Sequence, residues 1–528
     1  MSIAPLTLQA NYWENFELQD EDLEYLYNHL LEIETPLTSR ELAEVLVKER
    51  IQSETEAIKK QIGNGATYFP KDHYKVGDKI LFPALKWEEG KITGIRPGTN
   101  PEYHPFEVIE VEFKNLGKRA FASGVENHPL NAPVGLSTDD PALNLQSVLS
   151  QHSKMIQARL TEKFKAVPDL VQIAGAWFPR SLLVDVNIGH LNLAEAVLEV
   201  ADGGPLPTRP ILEQIELPTD VNLKLTEFSM NLALQEDERF DEVGPSGETL
   251  WFLQRLEPEG VRTIPFHLRY QPPTNPPALA NTDLAIDLNS MVFDELETEG
   301  DQPSSGNHIT VSLIYPHWRS GTIPLSKSIA RLLPTAYEAP RVNFTFVDEE
   351  TNKEFIGWVV RPHRYVYGLE EWYEEKSLIP GSLFVIKQGK IPGQVLIQAL
   401  KKRPTKDWIR TVLVGTDGGV VFTMLKQQIS NELDDRMAIM VSDPDAIDKQ
   451  WEQTGKTRGT LENSVINMMR ELIKLSPQGH VHAQELYAGV NILRRCPPGA
   501  ILQVLANHPQ VSHLGDLYFK LDETASKE

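Results

Sequence analysis

The sequence predicts a multidomain protein of the α+β class. Its 528 residues are too many for a single hydrophobic core and correspond to roughly three to five domains. Segments with apolar residues at helical spacing alternate along the chain with segments in which every second residue is apolar. One order of elements, helices followed by a short hairpin, also recurs, and such repetition seldom arises by chance.

Composition narrows the functional classes. The net charge of −23 argues against indiscriminate coating of nucleic acid, because the long-range field repels phosphate. The one cysteine, Cys496, excludes an internal disulfide framework and favours a reducing compartment. No signal peptide pattern and no apolar run of about 18 residues is present, so we expect a cytoplasmic protein without membrane contact. Our overall interpretation is of a bacterial protein.

Residues 15–70 have the pattern of a helix-turn-helix. Leu23, Leu26 and Leu30 have helical spacing, and Thr38 with Glu41 forms a capping-box pattern before a second helix. The helix, "TPLTSRELAEVLV", helix arrangement resembles the start of the HARE-type winged helix found in the RNA polymerase delta subunit. The resemblance implies a winged helix at 15–70.

Residues 71–130 change to alternating apolar and polar positions. The segments "VGDKILFP", "GKITGIRPG" and "FEVIEVEF" predict three strands. Together they resemble a small Tudor-like or Src-type (SH3-like) β-barrel, a fold that binds peptides or nucleic acid or only separates domains. Trp87, Tyr103 and His104 are candidates for an aromatic groove, although plain packing is the more common role of such residues.

Residues 140–265 predict a connecting helix followed by a second winged-helix unit. Its hairpin is expected at "RFDEVGPSGETLWFL", where Gly-Pro-Ser-Gly suits a turn. The helix in the recognition position, near residues 223–236, has Lys224 as its one basic residue. We therefore expect this unit to contact protein rather than DNA.

Residues 266–307 are rich in acids and prolines. Seven acids and no base lie between 281 and 301, and a Gln-Pro-Ser-Ser-Gly stretch follows. This composition predicts a flexible linker.

Residues 308–440 reverse the charge of the chain. Positions 311–410 hold 15 Lys+Arg and 10 Asp+Glu, a balance of +5, so the other 428 residues carry −28. A local positive surface on an acidic protein is a candidate contact for a polyanion.

The order of elements in this region also resembles a known fold. It runs from "IPLSKSIARLL" through the strands "VNFTF" and "FIGWVV" to a short helix and "LIPGSLFVI". This order resembles the DNA-binding pseudobarrel of plant-type transcription factors and restriction-enzyme effector domains. Ser382 stands where that family usually has an acidic residue, which weakens the match.

The pseudobarrel resemblance implies DNA contacts from strand and loop residues. The matching positions are Trp318, Arg319, Arg361, His363, Arg364 and Tyr365. A dense basic cluster follows the pseudobarrel and is a further candidate for phosphate contact: Lys401, Lys402, Arg403 and Lys406.

Residues 455–523 repeat the winged-helix order a third time. Pro497 and Pro498 begin a candidate third helix, and "QVSHLGDLYFKL" predicts the hairpin. Arg494 and Arg495 precede that helix, where they are candidates for a phosphate contact.

Catalytic patterns are weak. Cys496 has no partner base, His480 and His482 lack further metal ligands, and no phosphate-binding glycine motif is present. Glu110, Glu112 and Lys114 match the end of a metal-dependent nuclease motif, but alternating charges on a strand usually form its solvent face. We expect no enzyme activity, cofactor or metal.

These observations predict a non-enzymatic, DNA-binding or transcription-associated protein of several modules, with DNA contact through residues 308–412. A protein partner is also expected, RNA polymerase being one candidate, and the protein would be cytoplasmic, with nucleoid association left open. The alternative is an interaction scaffold on RNA polymerase or a nucleoprotein complex, without direct DNA contact. A nuclease is the weakest of the three.

Overall fold

The computed structural model describes most of the chain in two compact units. The units are Met1–Val184 with Thr219–Phe228, and Asp185–Pro218 with Ser229–Glu528. The described residues are 12–63, 66–82, 85, 88–100, 105–131, 144–215, 217, 222–272, 287, 292, 294–297, 306–336, 339–391, 393–415, 419–457 and 460–522. They form helices and six sheets, which confirms the predicted α+β class. Within these residues no helix is both long and apolar enough to cross a membrane.

The first unit contains a module of three helices and a three-stranded sheet, named here the first module. Its elements are α1 (Asp20–Ile33), β1 (Leu37–Thr38), α2 (Ser39–Gly63), and, after an insertion, α3 (Leu145–Lys165), β7 (Leu170–Ile173) and β8 (Ala176–Pro179). Asp22 closes the N-terminal cap of α1, since its carboxylate accepts a hydrogen bond from the backbone N–H of Gln19. Leu26, Leu42 and Phe164 then meet in one core with Trp177.

Helix α3 corrects the sequence interpretation of residues 140–165. We predicted a connecting helix there, but Ile156, Leu160 and Phe164 lie in the core of the first module. Strand β1 pairs with β8, about 140 positions later in the chain, so the first module is completed only by residues 144–179. The region 15–70 is therefore one part of a module rather than a whole one.

The insertion between α2 and α3 is a five-stranded sheet in the order β2 to β6. Its strands are β2 (Ala66–Thr67), β3 (Lys79–Phe82), β4 (Glu88–Pro97), β5 (Glu107–Phe113) and β6 (Gly117–Ser123). Alternate residues of β5, among them Ile109 and Val111, face a core that also contains Phe82. The aromatic-groove candidates Trp87, Tyr103 and His104 lie outside the described residues.

The second unit begins with a second module. Its elements are α4 (Ile188–Val200), β9 (Leu206–Pro207), α5 (Thr208–Leu212), α6 (Leu223–Gln235), β10 (Phe240–Glu242) and β11 (Leu250–Leu253). Asn187 caps α4 by accepting from the backbone N–H groups of Gly189 and His190. Helix α6 begins in the first unit and ends in the second.

A curled, seven-stranded half-barrel follows, beyond the short helix α7 (Glu259–Arg262). Its sheet order is β12-β17-β18-β14-β15-β16-β13. The elements are β12 (His308–Ser312), α8 (Tyr315–Arg319), β13 (Thr322–Pro324), α9 (Lys327–Ala330), β14 (Arg341–Asp348), β15 (Glu354–Val360), β16 (Tyr365–Tyr367), α10 (Glu370–Glu375), β17 (Leu383–Gln388) and β18 (Gln394–Ala399). Its concave core holds Phe344, Phe346, Trp372 and Phe384.

A long two-stranded hairpin, named here the ribbon, leads to the third module. The ribbon consists of β19 (Lys401–Val414) and β20 (Val420–Asn431), with β21 (Met440–Val441) beside β19. The third module has α11 (Pro444–Thr457), α12 (Leu461–Ile473), β22 (Val481–His482), α13 (Ala483–Leu493), α14 (Pro498–Asn507), β23 (Val511–Gly515) and β24 (Tyr518–Leu521). Val412 and Phe422 of the ribbon pack into the core of this module.

The three modules share one topology. In each, the short first strand pairs with the third strand, and the second strand lies on the far side of the third. A large aromatic residue of the third strand faces the first strand in every copy: Leu37 pairs with Trp177, Leu206 with Trp251, and Val481 with Phe519. The repetition inferred from the sequence is thus present in the element order of all three.

Part of the segment predicted as a flexible linker is buried. Asp294 and Glu295 are almost inaccessible to solvent, and both bind the guanidinium of Arg495. Of the seven acids in this stretch, Asp283, Glu299 and Asp301 lie outside the described residues. Asp294 and Glu295 therefore belong to the interior of the second unit, where the buried cation of Arg495 compensates their charges, whereas Leu296 is exposed.

Candidate nucleic-acid interface

Ion pairs neutralise about half of the cations that make residues 311–410 positive. Eight of the 15 Lys and Arg side chains in this segment lie within salt-bridge distance of a carboxylate. The eight are Arg319, Arg341, Lys353, Lys376, Lys387, Lys401, Lys402 and Arg410. A phosphate would have to compete with these carboxylates, so the candidate interface must come from the other cations.

Three of the predicted DNA contacts have structural roles, one within the half-barrel and two between it and neighbouring helices. Trp318 donates from Nε1 to the backbone oxygen of Leu378 at 2.8 Å. Arg319 binds Asp448 at 2.8 Å, and the buried Tyr365 donates from its hydroxyl to the Gly260 oxygen at 2.7 Å. These contacts account for the three side chains without a ligand.

A second group of predicted contacts lies at one corner of the half-barrel. Residues 361–363 form a single 3-10 turn between β15 and β16, and Arg364 follows with a left-handed backbone, φ 55°. Arg361 and Arg364 are partly exposed, and His363 is exposed. Nη1 of Arg364 donates to the backbone carbonyl oxygen of Glu297 at 3.1 Å. Neither Arg361 nor Arg364 has a carboxylate partner in the described part of the chain.

The ribbon carries the third group. Lys401 and Lys402 bind Glu350 and Asp407, both at 2.6 Å. Arg403 and Lys406 are exposed, and among the described residues neither has a carboxylate partner. Two of the four cations in the predicted basic cluster are therefore neutralised by ion pairs, and among the described residues the other two have no carboxylate partner.

The register of the ribbon adds residues that sequence reasoning missed. Lys406 pairs with Gln428 and Trp408 with Lys426, so all four side chains lie on one face. The Trp408 ring is 61% exposed, and Nζ of Lys426 lies 5.3 Å from its centroid. The basic cluster and the nearby indole were visible in the sequence, but Lys426 joins them only through the strand pairing.

The Arg495 side chain is buried, whereas the Arg494 side chain is partly exposed. The Arg495 guanidinium is fully buried and lies 2.6 Å from Asp294 and 2.9 Å from Glu295. Nη1 of Arg494 lies 3.3 Å from the Ser464 hydroxyl. Arg495 therefore cannot reach a phosphate unless this buried network opens.

The residues considered for catalysis lie either on the solvent face of a strand or buried in a core. Glu110 and Glu112 lie on the solvent face of β5, alternating with buried Ile109 and Val111. Burial raises the pKa of the Cys496 thiol to about 12, which opposes formation of a thiolate. No group of three or more potential metal ligands was found in the described portion of the sequence.

Comparisons with family models, with curated proteins and with solved structures gave no match to this chain. A functional conclusion therefore depends on the geometry of the candidate surfaces.

Proposed function

We propose that this chain is a non-enzymatic DNA-binding protein that contacts duplex DNA through the half-barrel corner and the ribbon. The proposal assigns the three modules as winged helices and the half-barrel as a pseudobarrel of the DNA-binding kind. A transcription-associated role is part of the same proposal, because these folds commonly serve there, although a fold alone does not determine a function.

The observation that carries the proposal is the distribution of the unneutralised arginines and lysines. In a chain of net charge −23, Arg361 and Arg364 at the corner, and Arg403 and Lys406 on the ribbon, have no carboxylate partner among the described residues. Arginine and lysine side chains in this state are suited to phosphate oxygens, and binding would release counterions from DNA.

The test uses the full chain, because a fragment ending at residue 412 would cut β19 before its partner strand. We expect duplex DNA to bind at low salt and to be released as salt rises. Changing Arg361→Glu together with Arg364→Glu should weaken binding about tenfold or more. It should also reduce the slope of log affinity against log salt by about 0.9 for each lost phosphate contact.

The matched control changes Lys118→Glu and Arg119→Glu, two exposed cations on β6, and alters the net charge by the same amount. An equal loss of affinity in both variants would show that only the overall charge matters. The corner would then have no specific role, and the proposal would lose its main support.

A second candidate function is protein contact by the second module. Helix α4 exposes three large apolar side chains, Ile188, Leu193 and Val200, the last of which is 89% exposed. Exposed apolar groups on one short helix favour a protein partner, of which RNA polymerase is our candidate. Co-sedimentation with RNA polymerase, lost in Leu193→Glu with Val200→Glu, tests it. If no duplex is bound even at low salt, this scaffold function replaces the first.

A further inference from the structure

The ribbon presents an isolated aromatic ring between two lysines. Trp408 lies on the same face as Lys406 and directly opposite Lys426, and the Lys426 ammonium lies 5.3 Å from the centre of the indole. Asp407, the nearest acid in sequence, is held by Lys402 at 2.6 Å. The exposed indole is therefore bordered by positive charge, an arrangement that attracts a flat group carrying phosphates.

A cavity of about 450 Å³ opens beside this ring. Trp408, Arg410 and Met424 of the ribbon line one side, and His480 and Tyr518 of the third module contribute to the lining. Because Trp408 both lines the cavity and remains 61% exposed, the ring lies at its mouth. A volume of this size accommodates an aromatic base.

Arg410 leaves one hydrogen-bond donor unused in the cavity wall. Its Nη2 donates to the backbone carbonyl oxygen of Asp435 at 2.6 Å and lies 3.2 Å from a carboxylate oxygen of Glu485. Its Nη1 is buried and has no acceptor in the described structure. Because Nη1 is closed to solvent, the Arg410 guanidinium contributes positive charge to the cavity wall and no direct hydrogen bond to a ligand.

The charges in and around the cavity favour a neutral group at one end of such a ligand and an anionic group at the other. Glu485 and Asp435 line the cavity with Arg410, and their carboxylates disfavour a phosphate inside it. Lys406 and Lys426 lie outside, on the open face of the ribbon. An anionic peptide would be repelled by the same acids, whereas a nucleotide places its neutral base and its charged phosphate at the two ends.

We propose that this face binds an unpaired nucleotide, with the base stacked on Trp408 at the mouth of the cavity and the adjoining phosphates on Lys406 and Lys426. The inference rests on the proposed function and specifies its ligand as DNA with an unpaired segment. In a fully paired duplex the bases are stacked on each other, so Trp408 gains nothing from them.

The experiment measures binding of the full chain to three probes: a blunt duplex, the same duplex with a single-stranded thymidine tail, and the tail alone. We expect the wild type to bind the tailed duplex more tightly than the blunt one. Trp408→Ala should weaken binding of the tailed duplex at least about fivefold, since stacking on an aromatic side chain contributes on the order of 1–3 kcal/mol per base. Binding to the blunt duplex should change less than about twofold, and Trp408→Phe should restore most of the loss.

The control is Leu413→Ala, which removes another exposed apolar side chain of β19 and should leave all three affinities unchanged. Equal binding of tailed and blunt duplex by the wild type would overturn the inference, as would an unaltered tail preference in Trp408→Ala. The inference also fails if Trp408→Ala abolishes binding of a protein partner while the affinities for all three DNA probes stay unchanged. If the tail alone binds through Trp408 and no duplex binds, the proposed duplex function fails while this inference stands.

Discussion

Arg495 and Asp294 are 201 positions apart in the chain, yet Nη2 of the arginine lies 2.6 Å from Oδ1 of the aspartate with both side chains closed to solvent. Glu295 lies 2.9 Å from the same nitrogen and bonds His317 of the half-barrel at 2.8 Å. Burial alone would raise the pKa of Glu295, but Arg495 and His317 hold it well below its usual range. The acidic segment thus ties the third module to the half-barrel.

Replacing Arg495 by methionine should destabilise the second unit by about 3–5 kcal/mol. The reason is that two carboxylates would remain buried without their cation. Urea unfolding followed by tryptophan fluorescence measures the change. Arg494→Met is the neighbouring control, and we expect a loss below about 1 kcal/mol because that side chain is partly exposed. Similar, small losses in both variants would show that the buried pair does not carry this stability.

Glu257 should make the stability of the second unit fall as pH rises. Burial, reinforced by Asp241 and opposed by Arg341, raises the pKa of Glu257 to about 8. The folded state therefore keeps a proton that the unfolded chain releases above a pKa of about 4.3. The free energy of unfolding should decline between about pH 5 and about pH 8, by on the order of a few kcal/mol.

Urea midpoints measured across this pH range test the prediction for Glu257. Glu257→Gln imitates the protonated form and should flatten the dependence. A wild-type stability that rises through the same window, or an unchanged profile in Glu257→Gln, would contradict it.

Trp177 and Ser39 should be energetically coupled in the first module. Nε1 of Trp177 donates to the Ser39 hydroxyl at 3.0 Å, and Trp251 donates to Thr208 at 3.2 Å in the second module. A double-mutant cycle with Trp177→Phe and Ser39→Ala should give a coupling of about 1 kcal/mol. The third module has Phe519 and Ala483 at the matching positions, so it lacks both groups of this pair. Strict additivity of the two changes would disprove the coupling.

The two lysines beside Trp408 should contribute to affinity through salt-dependent contacts. We expect Lys406→Ala and Lys426→Ala each to lower the slope of log affinity against log salt by about 0.7 for a single strand. Lys353→Ala is the control, because that ammonium is held by Glu375 at 2.8 Å. Titrations of the tailed duplex at several salt concentrations measure the slopes, and three equal slopes would remove these lysines from the interface.

Local patterns in the sequence predicted elements well and distant partners poorly. Apolar spacing and the proline pair at 497–498 predicted α12 and α14, and both are present. The burial of Arg495 could not be predicted, because its carboxylates lie some 200 positions away in a segment whose composition is typical of a linker. Spacing of apolar residues reports which face of an element is buried, but not which element covers it.

In the candidate site, too, local features could be predicted from the sequence and contacts between distant residues could not. The basic residues 401–406 could be found from composition alone. The pairing of Trp408 with Lys426 depends on the length and geometry of the turn between β19 and β20, and a shift of one residue would place Lys426 on the other face. The ion pairs that neutralise Lys401 and Lys402 likewise depend on side-chain geometry.

The pairing of β1 with β8 around an inserted sheet has a practical consequence for truncated versions of the protein. A chain cut anywhere between residues 66 and 143 separates α1 and α2 from α3, so each piece keeps only part of one core. Progressive deletion from the amino terminus should therefore abolish folding of the first unit in one abrupt step. Removal of the inserted sheet with its ends rejoined should instead leave a foldable remnant.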